Sequence, residues 1–444
     1  MSKIVRTPMR RYAALTLIVI IFSTTLGEAS ALIREESACS TWITCKLVEF
    51  GGWLNLVHIF VTGVAAILVL MTLITAWHQH RSDTRLLPLS AVTSVLFIGQ
   101  SMIGAIQILR NFPLHLQVLH AIGALMLWIS LLGLVFASSQ IKKPTRERVS
   151  DSQFQISTWT QHIKDYLALT KPLIVTLLLL TTFAGLVAGG RKWPDPALLI
   201  WTMIGGALAA GGSSSLNQYI DRELDQKMQR TSRRPLAEGR LTSAEGLAFG
   251  LALCVASYYV MAGFVNLLAA LLSLSGIIYY VLFYSVWLKK ATVQNIVIGG
   301  GAGAIPPLVG WAAATGHLSL EAWILFFIVF FWTPPHFWAL AIVRKKDYEN
   351  AGVPMLPVIR GEKETRSKIF IYTLELVAVT LLLPIFNLTG IIYILAATVL
   401  GAWLIYGAWK VWKVGGNLVA WKMYRWSSMY LAFIFMAIVV DAIL

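Results

Sequence analysis

Apolar runs of about 20 residues, the length that crosses a bilayer as a helix, recur along the whole chain with short polar stretches between them. The runs are continuous rather than alternating, which argues against a membrane β-barrel, and they are too many for a soluble core. Thirteen spans are predicted, near 12–32, 53–77, 89–109, 115–138, 172–189, 196–216, 243–262, 265–286, 293–312, 320–342, 368–386, 389–408 and 426–443. One long polar and basic stretch, SSQIKKPTRERVSDSQFQISTWTQHIKDY at 138–166, interrupts the series. It divides a four-span unit from a nine-span unit. The predicted fold class is an all-α polytopic membrane protein, with domains at 1–138 and 164–444 joined by a linker at 139–163. No sequence repeat relates the two units.

The 444 residues are 57% hydrophobic and carry a formal net charge of +15, with a mean hydropathy of +0.71. The charge is a topology signal. With the N-terminus in the cytoplasm, every one of the 36 basic residues falls on the cytoplasmic side except Arg34, Lys46, Arg110, Arg191 and Lys192. A multi-pass protein of the plasma membrane is expected. No basic soluble domain is present to hold nucleic acid. The first span, with KIVRTPMRRY before it and Ala29-Ser30-Ala31 after, also has the pattern of a cleavable signal. Either reading leaves the next loop outside. Of three cysteines, Cys254 sits in an apolar span, while Cys39 and Cys45 share the first outer loop, an oxidising location where they can form a disulfide.

Against this background NQYIDRELDQKMQRTSRRPL, at 217–236, is unusual: ten of the 24 residues from Asn217 to Arg240 are charged. Asn217, Asp221 and Asp225 recur every four residues, so they share one face of a helix, about 6 Å apart along its axis. Two aspartates so placed repel each other unless something cationic lies between them. A divalent oxygen-loving cation reverses the sign of that interaction, and Mg²⁺ characteristically binds through one or two carboxylates together with substrate phosphates. Arg222, Lys227, Arg230, Arg233 and Arg234 then suit the remaining phosphate charge. The same stretch taken alone also reads as a solvated loop of mixed charge. Lys289 and Lys290 follow the eighth span, and Lys346, Asp347 and Tyr348 follow the tenth, all on the same side. Together these helix ends can enclose a charged headgroup whose lipid-like tail lies among the helices.

These residues carry a resemblance. The strings KDYLALTKP (164–172), NQYIDRELDQKMQRTSRRPL (217–236), LKKATVQNIVIGGGAGAIPPLVGW (288–311), FWTPPHFWALAI (331–342) and KDYENAGVPMLPV (346–358) resemble those of the UbiA-type intramembrane prenyltransferases. Among these, WTPPHFW and AGVPMLP are most similar to the protoheme IX farnesyltransferases, or heme O synthases. The resemblance implies a nine-helix bundle that transfers a farnesyl group from farnesyl diphosphate, with addition of water, to a vinyl group of heme B. It implies Mg²⁺ on Asn217, Asp221 and Asp225, with Asp347 the only aspartate of a thinner second acidic motif. It also implies that His336 contacts heme and that Asn295 faces the cavity, while the glycine run at 299–303 permits close helix packing. His336 otherwise reads as a histidine packed in the bundle. Two rivals remain: a quinone precursor as acceptor, and a non-enzymatic transporter of heme. Acids at helix ends rather than at the bilayer midplane argue against a transporter.

In the first unit His58 and His120 lie at matching depth in spans that run the same way, and could ligate one b-type heme from facing helices. Two unrelated polar residues are the plainer reading. Cys39, Cys45, His58, LFIGQSMIGAI (96–106) and His120 resemble one half of the heme A synthases, a four-helix bundle. That family has two such halves. Where its oxidising half carries a glutamate and an arginine beside the first histidine, this chain has Asn55 and Ile59. The resemblance therefore implies a module that holds or delivers heme, with heme A synthase or its missing half as a partner.

Overall fold

A computed structural model describes residues 8–32, 50–109, 113–140, 159–386 and 388–444. Among the described residues thirteen helices are long and apolar enough to cross a membrane, one for each predicted span, and no strand occurs. The protein is a multi-pass, all-helical membrane protein. Cys39 and Cys45 lie outside the described residues. The chain forms two compact units, one of residues 1–159 with 241–256, the other of 160–240 with 257–444.

The first unit holds α1 (Pro8–Leu32), α2 (Phe50–Gln79), α3 (Leu86–Leu109) and α4 (Leu114–Ser139). They pack in a closed cycle, α1 on α2 and α4, α3 on α2 and α4. The residues from 241 join this unit. Arg81 donates through Nε and Nη2 to Oε1 of the buried Glu245, at 2.8 and 2.6 Å. The other oxygen of Glu245 accepts from Thr242 N at 2.8 Å, and the Glu245 amide reaches Thr242 Oγ1. This reciprocal Thr-x-x-Glu cap starts the helix.

The second unit holds α5 (Trp159–Thr170), α6 (Pro172–Gly190), α7 (Pro196–Asp225), the short α8 (Pro235–Glu238), the end of α9 (Ser243–Phe264, whose residues up to 256 belong to the first unit) and α10 (Leu267–Ile278). A π-helical segment, Tyr279–Leu288, leads into α11 (Lys289–Ala291). Then come α12 (Asn295–Thr315), α13 (Leu320–Val343), α14 (Lys345–Asn350), α15 (Leu356–Ile359), α16 (Gly361–Thr380), α17 (Ile391–Lys413) and α18 (Asn417–Ile443). α12 and α13 form its centre, each with 67% of its most apolar stretch buried.

Several helices outrun their apolar stretches. α7 begins at Pro196, where Asp195 Oδ1 accepts from the amides of Ala197 and Leu198 at 2.9 and 3.1 Å. It then runs unbroken to Asp225. Hydropathy ends where side chains turn polar, but the backbone goes on forming helix, which is how α7 carries the three spaced acceptors. The glycine run packs as expected at Gly299, Gly300 and Gly301, while Gly303 has open space. The closest approach lies elsewhere, between α6 and α12. A Cβ on Gly310 would stand 1.8 Å from the Thr182 carbonyl oxygen, and one on Gly185 2.2 Å from that of Pro307. Small residues allow such backbone contact, and van der Waals packing then holds the helices together.

Candidate active site at the end of helix α7

The spacing read from the sequence appears as one buried row. Asn217, Asp221 and Asp225 are 4%, 1% and 2% exposed. Asn217 Nδ2 donates to Asp221 Oδ2 at 2.8 Å and to Ser285 Oγ at 3.0 Å. Each acceptor is met by a cation from another element. Lys289 Nζ reaches Asp221 Oδ2 at 2.6 Å, Arg234 Nη1 reaches Asp225 Oδ2 at 2.7 Å, and Lys171 Nζ reaches Asn217 Oδ1 at 3.1 Å. Asp221 Oδ1 is buried with no hydrogen-bond partner among the described residues.

Lys171 was not among the expected residues, and its place depends on backbone. It has φ 52°, a left-handed conformation at the junction of α5 and α6. A non-glycine residue there is strained, and such strain gathers at functional sites. Hydrogen bonds between α5 and α7 hold the junction: Ser214 Oγ and Gln218 Nε2 both donate to Leu169 O at 2.8 Å. Burial, with Arg234 and Lys289 nearby, pushes the Lys171 ammonium down to about 7, against the pull of Asp225 and Asp221.

The loop after α7 folds back on the row. Thr231 Oγ1 donates to Asp225 O at 3.1 Å. Arg240 Nε binds the buried Asp165 at 3.0 Å and its Nη2 reaches Arg233 O at 3.2 Å. Asp165, like Lys171, had carried no role in the sequence reading beyond its string. The π-helical segment supplies Ser285, whose hydroxyl donates to Tyr280 O at 2.8 Å, and two stacked rings, Tyr280 and Tyr284, with centroids 5.6 Å apart. Tyr284 lies against Gly299, where a Cβ would come within 2.3 Å of the ring.

The second patch reaches the same region. Tyr348 is buried, with Arg230 near its hydroxyl. Burial raises its phenol, Arg230 opposes this, and Tyr424 and Asp347 add to it. Tyr284 is in electrostatic reach of Tyr348, Asp221 and Arg230. Asp347 Oδ2 is buried and lacks a hydrogen bond among the described residues, its nearest cation being Arg344 at 4.0 Å. Asn295 is 1% exposed. Its Nδ2 reaches Lys289 O at 3.3 Å, and its Oδ1 has no partner among the described residues. Lys227, Arg233, Lys290 and Lys346 are exposed. Arg222 turns to Tyr219 O and Glu223, so these five stand apart from the buried row.

His336 sits in α13 directly after Pro334 and Pro335, through which the helix continues. Its ring stacks on Trp332 at 4.3 Å and packs on Tyr424 at 4.5 Å. Its Nδ1 is 2.8 Å from Ser427 Oγ, and Trp332 Nε1 donates to Ser427 O at 2.6 Å.

A row of hard oxygen donors with one buried carboxylate oxygen unpartnered fits an oxygen-loving divalent cation. No group of three or more His, Cys, Asp or Glu side chains able to hold a metal occurs among the described residues. Such a cation would therefore need further oxygens from a substrate, as Mg²⁺ does with phosphates. With a metal on the acids, the cations that now pair with them would be free to meet phosphate charge.

In the first unit His58 and His120 lie within electrostatic reach of each other. His58 Nδ1 donates to Ser23 O at 2.8 Å, which leaves Nε2 unprotonated. His120 Nδ1 is buried without a partner among the described residues. Each ring faces a glycine: a Cβ on Gly27 would lie 3.0 Å from His58 Cε1, and one on Gly104 3.1 Å from His120 Cε1.

Residues 178–434 match the UbiA prenyltransferase family. The chain is 42% identical over 419 residues to a protoheme IX farnesyltransferase of Roseiflexus castenholzii, covering 91% of this chain and 78% of that protein. It is 50% identical over 282 residues to one of Gloeobacter violaceus, covering 63% of this chain and 92% of that protein. Two solved structures share the fold. One is of digeranylgeranylglyceryl phosphate synthase, with a TM-score of 0.55, 18% identity and coverage of 64% of this chain and 99% of that one. The other is an apo UbiA homologue from Aeropyrum pernix K1, with a TM-score of 0.51, 20% identity and coverage of 60% and 98%.

Proposed function

The chain belongs to the UbiA prenyltransferase family, and from that premise we propose that it is a heme O synthase. It transfers the farnesyl group of farnesyl diphosphate to a vinyl group of protoheme IX, with addition of water, for cytochrome oxidase heme. That the chain is a prenyltransferase follows from its family. The names of its relatives support heme as the acceptor.

The observation that carries the diphosphate half of the reading is the α7 row. Asn217, Asp221 and Asp225 would hold Mg²⁺, which supplies neutralising charge to the departing diphosphate. Lys289, Arg234 and Lys171, released from the acids, bind the phosphate oxygens, and Arg230 closes over them from the loop. Loss of diphosphate leaves an allylic cation on farnesyl C1, which the Tyr280–Tyr284 faces shield. The vinyl carbon of heme attacks it, water adds to the resulting cation beside the ring, and a proton leaves. Burial within the bundle limits hydrolysis of the first cation. His336 and its aromatic neighbours border the porphyrin.

The protein lies in the plasma membrane with its N-terminus and the α7 row on the cytoplasmic side. In the first unit His58 and His120 would hold a b-type heme, kept for the prenyltransferase unit or for heme A synthase. The test is to supply the purified protein with farnesyl diphosphate, heme B and Mg²⁺ and to read the product by mass. Heme O is expected. Prenylation of an aromatic acid alone would replace the acceptor, and no prenylation at all would remove the reading.

A further inference from the structure

His336 has a hydrogen-bond partner that bears on its tautomer. The Ser427 hydroxyl has one proton, and it donates this to Tyr424 O at 2.8 Å. With that proton on Tyr424 O, the 2.8 Å contact between Ser427 Oγ and His336 Nδ1 is met by Nδ1–H donating. This arrangement selects the Nδ1–H tautomer, which leaves the lone pair on Nε2. A histidine that donates Nδ1–H to a fixed oxygen is arranged as metal-ligating histidines are: the outer partner sets the tautomer and ring orientation and raises the basicity of Nε2.

The ring cannot easily turn away from this role. Trp332 stacks on it, Tyr424 packs on it, and Phe337 meets it edge-on with centroids 5.1 Å apart. Trp332 is itself pinned by its indole N–H to Ser427 O. The histidine is 6% exposed, and Pro334 and Pro335 stiffen the turn before it. A series of polar side chains runs from it toward the α7 row. Tyr424 packs on His336, Tyr348 lies in electrostatic reach of Tyr424 and Arg230, and Tyr284 in that of Tyr348, Arg230 and Asp221.

We infer that His336 Nε2 coordinates the iron of the porphyrin substrate, and that Ser427 is the positioning residue that holds it in the ligating tautomer. This rests on the heme O synthase reading above. The bond is a coordination only, in which Nε2 takes an axial position on the iron and no electron is transferred. It anchors the porphyrin centre while leaving its rim, where the vinyl groups lie, to meet the farnesyl chain. The site would thereby distinguish heme from the same ring without iron.

Prenyl transfer to heme B and to iron-free protoporphyrin IX, measured side by side, tests this. The unsubstituted chain should favour heme B in kcat/KM. His336→Ala should lower kcat/KM for heme B far more than for the iron-free ring, and so abolish that preference. Imidazole added to His336→Gly should restore the preference. Ser427→Ala should raise KM for heme B alone, by roughly 10-fold, as loss of an outer partner does at metal sites. An equal fall for both acceptors in His336→Ala overturns the inference and points to proton transfer or packing. Equal use of both acceptors by the unsubstituted chain overturns it without any variant. If that chain farnesylates neither ring, the heme O synthase reading fails and the inference falls with it.

Discussion

Replacing Lys289 with Met separates two roles that the site gives its cations. Lys289 Nζ lies 2.6 Å from Asp221 Oδ2, with side chains 14% and 1% exposed. Stripping one partner from a buried ion pair typically costs about 3–5 kcal/mol. The loss here should be smaller, because Asn217 Nδ2 still donates to the same oxygen at 2.8 Å and Lys171 stands just behind at Asn217 Oδ1. A destabilisation of about 2 kcal/mol is expected for the metal-free protein. Mg²⁺ no longer has a lysine to displace, so linkage returns that amount as roughly 30-fold tighter Mg²⁺ binding. Turnover should move the other way. With one phosphate-binding cation gone, kcat should fall by about 10²–10³. Thermal unfolding in detergent across a Mg²⁺ titration, with prenyl transfer on the same preparation, reads all three. The expected signature is a variant less stable in EDTA, more responsive to Mg²⁺, and slower. If Lys289→Met matches the parent in EDTA and in its Mg²⁺ midpoint, the acid row is not held by displaceable cations.

Three further outcomes can be checked. The double variant Asp221→Ala, Asp225→Ala should lose prenyl transfer altogether, and retained turnover would remove the Mg²⁺–diphosphate assignment. Gly310→Ala should destabilise the protein by about 3 kcal/mol, because the new methyl meets a helix backbone that cannot step aside, whereas Gly303→Ala, with open space around it, should leave the unfolding midpoint within about 0.5 kcal/mol of the parent. The full chain loaded with heme should show a six-coordinate b-type spectrum that His58→Ala or His120→Ala removes, and Gly104→Val should perturb it by crowding the His120 ring; an unchanged spectrum in both histidine variants would place any bound heme elsewhere.

The spacing of Asn217, Asp221 and Asp225 was legible because helical periodicity turns sequence distance directly into a shared face. So were the thirteen spans, since bilayer thickness sets their length. Lys171 was not. Before a proline at the start of an apolar run it reads as one more positive-inside residue. Only its left-handed backbone and the bonds from Ser214 and Gln218 turn it toward Asn217. The pairing of His336 with Ser427 joins residues 91 positions apart, and no local pattern announces it. The glycine run at 299–303 pointed to close packing, yet the tightest contact fell at Gly185 and Gly310, because the partner's shape decides which glycine is needed. Charge alone also does not separate buried cations from exposed ones. Lys227, Arg233, Lys290 and Lys346 look like Arg234 and Lys289 in a string of letters, but the end of the bundle has room to bury only some of them.

The wide turns of Tyr279–Leu288 bear on how this sequence can change over time. A π-helical turn closes i to i+5 rather than i to i+4, so the segment holds more residues per turn than an ordinary helix. Deleting one codon there would let the backbone rewind as α-helix with its hydrogen bonds largely intact. Each residue of such a helix turns about 100°, so everything beyond the deletion would swing round by that angle. Lys289 would leave Asp221, and Ser285 would leave Asn217. Hydropathy and span length would hardly register the event. Drift along this stretch is therefore free in the identity of many side chains but closed to insertions and deletions.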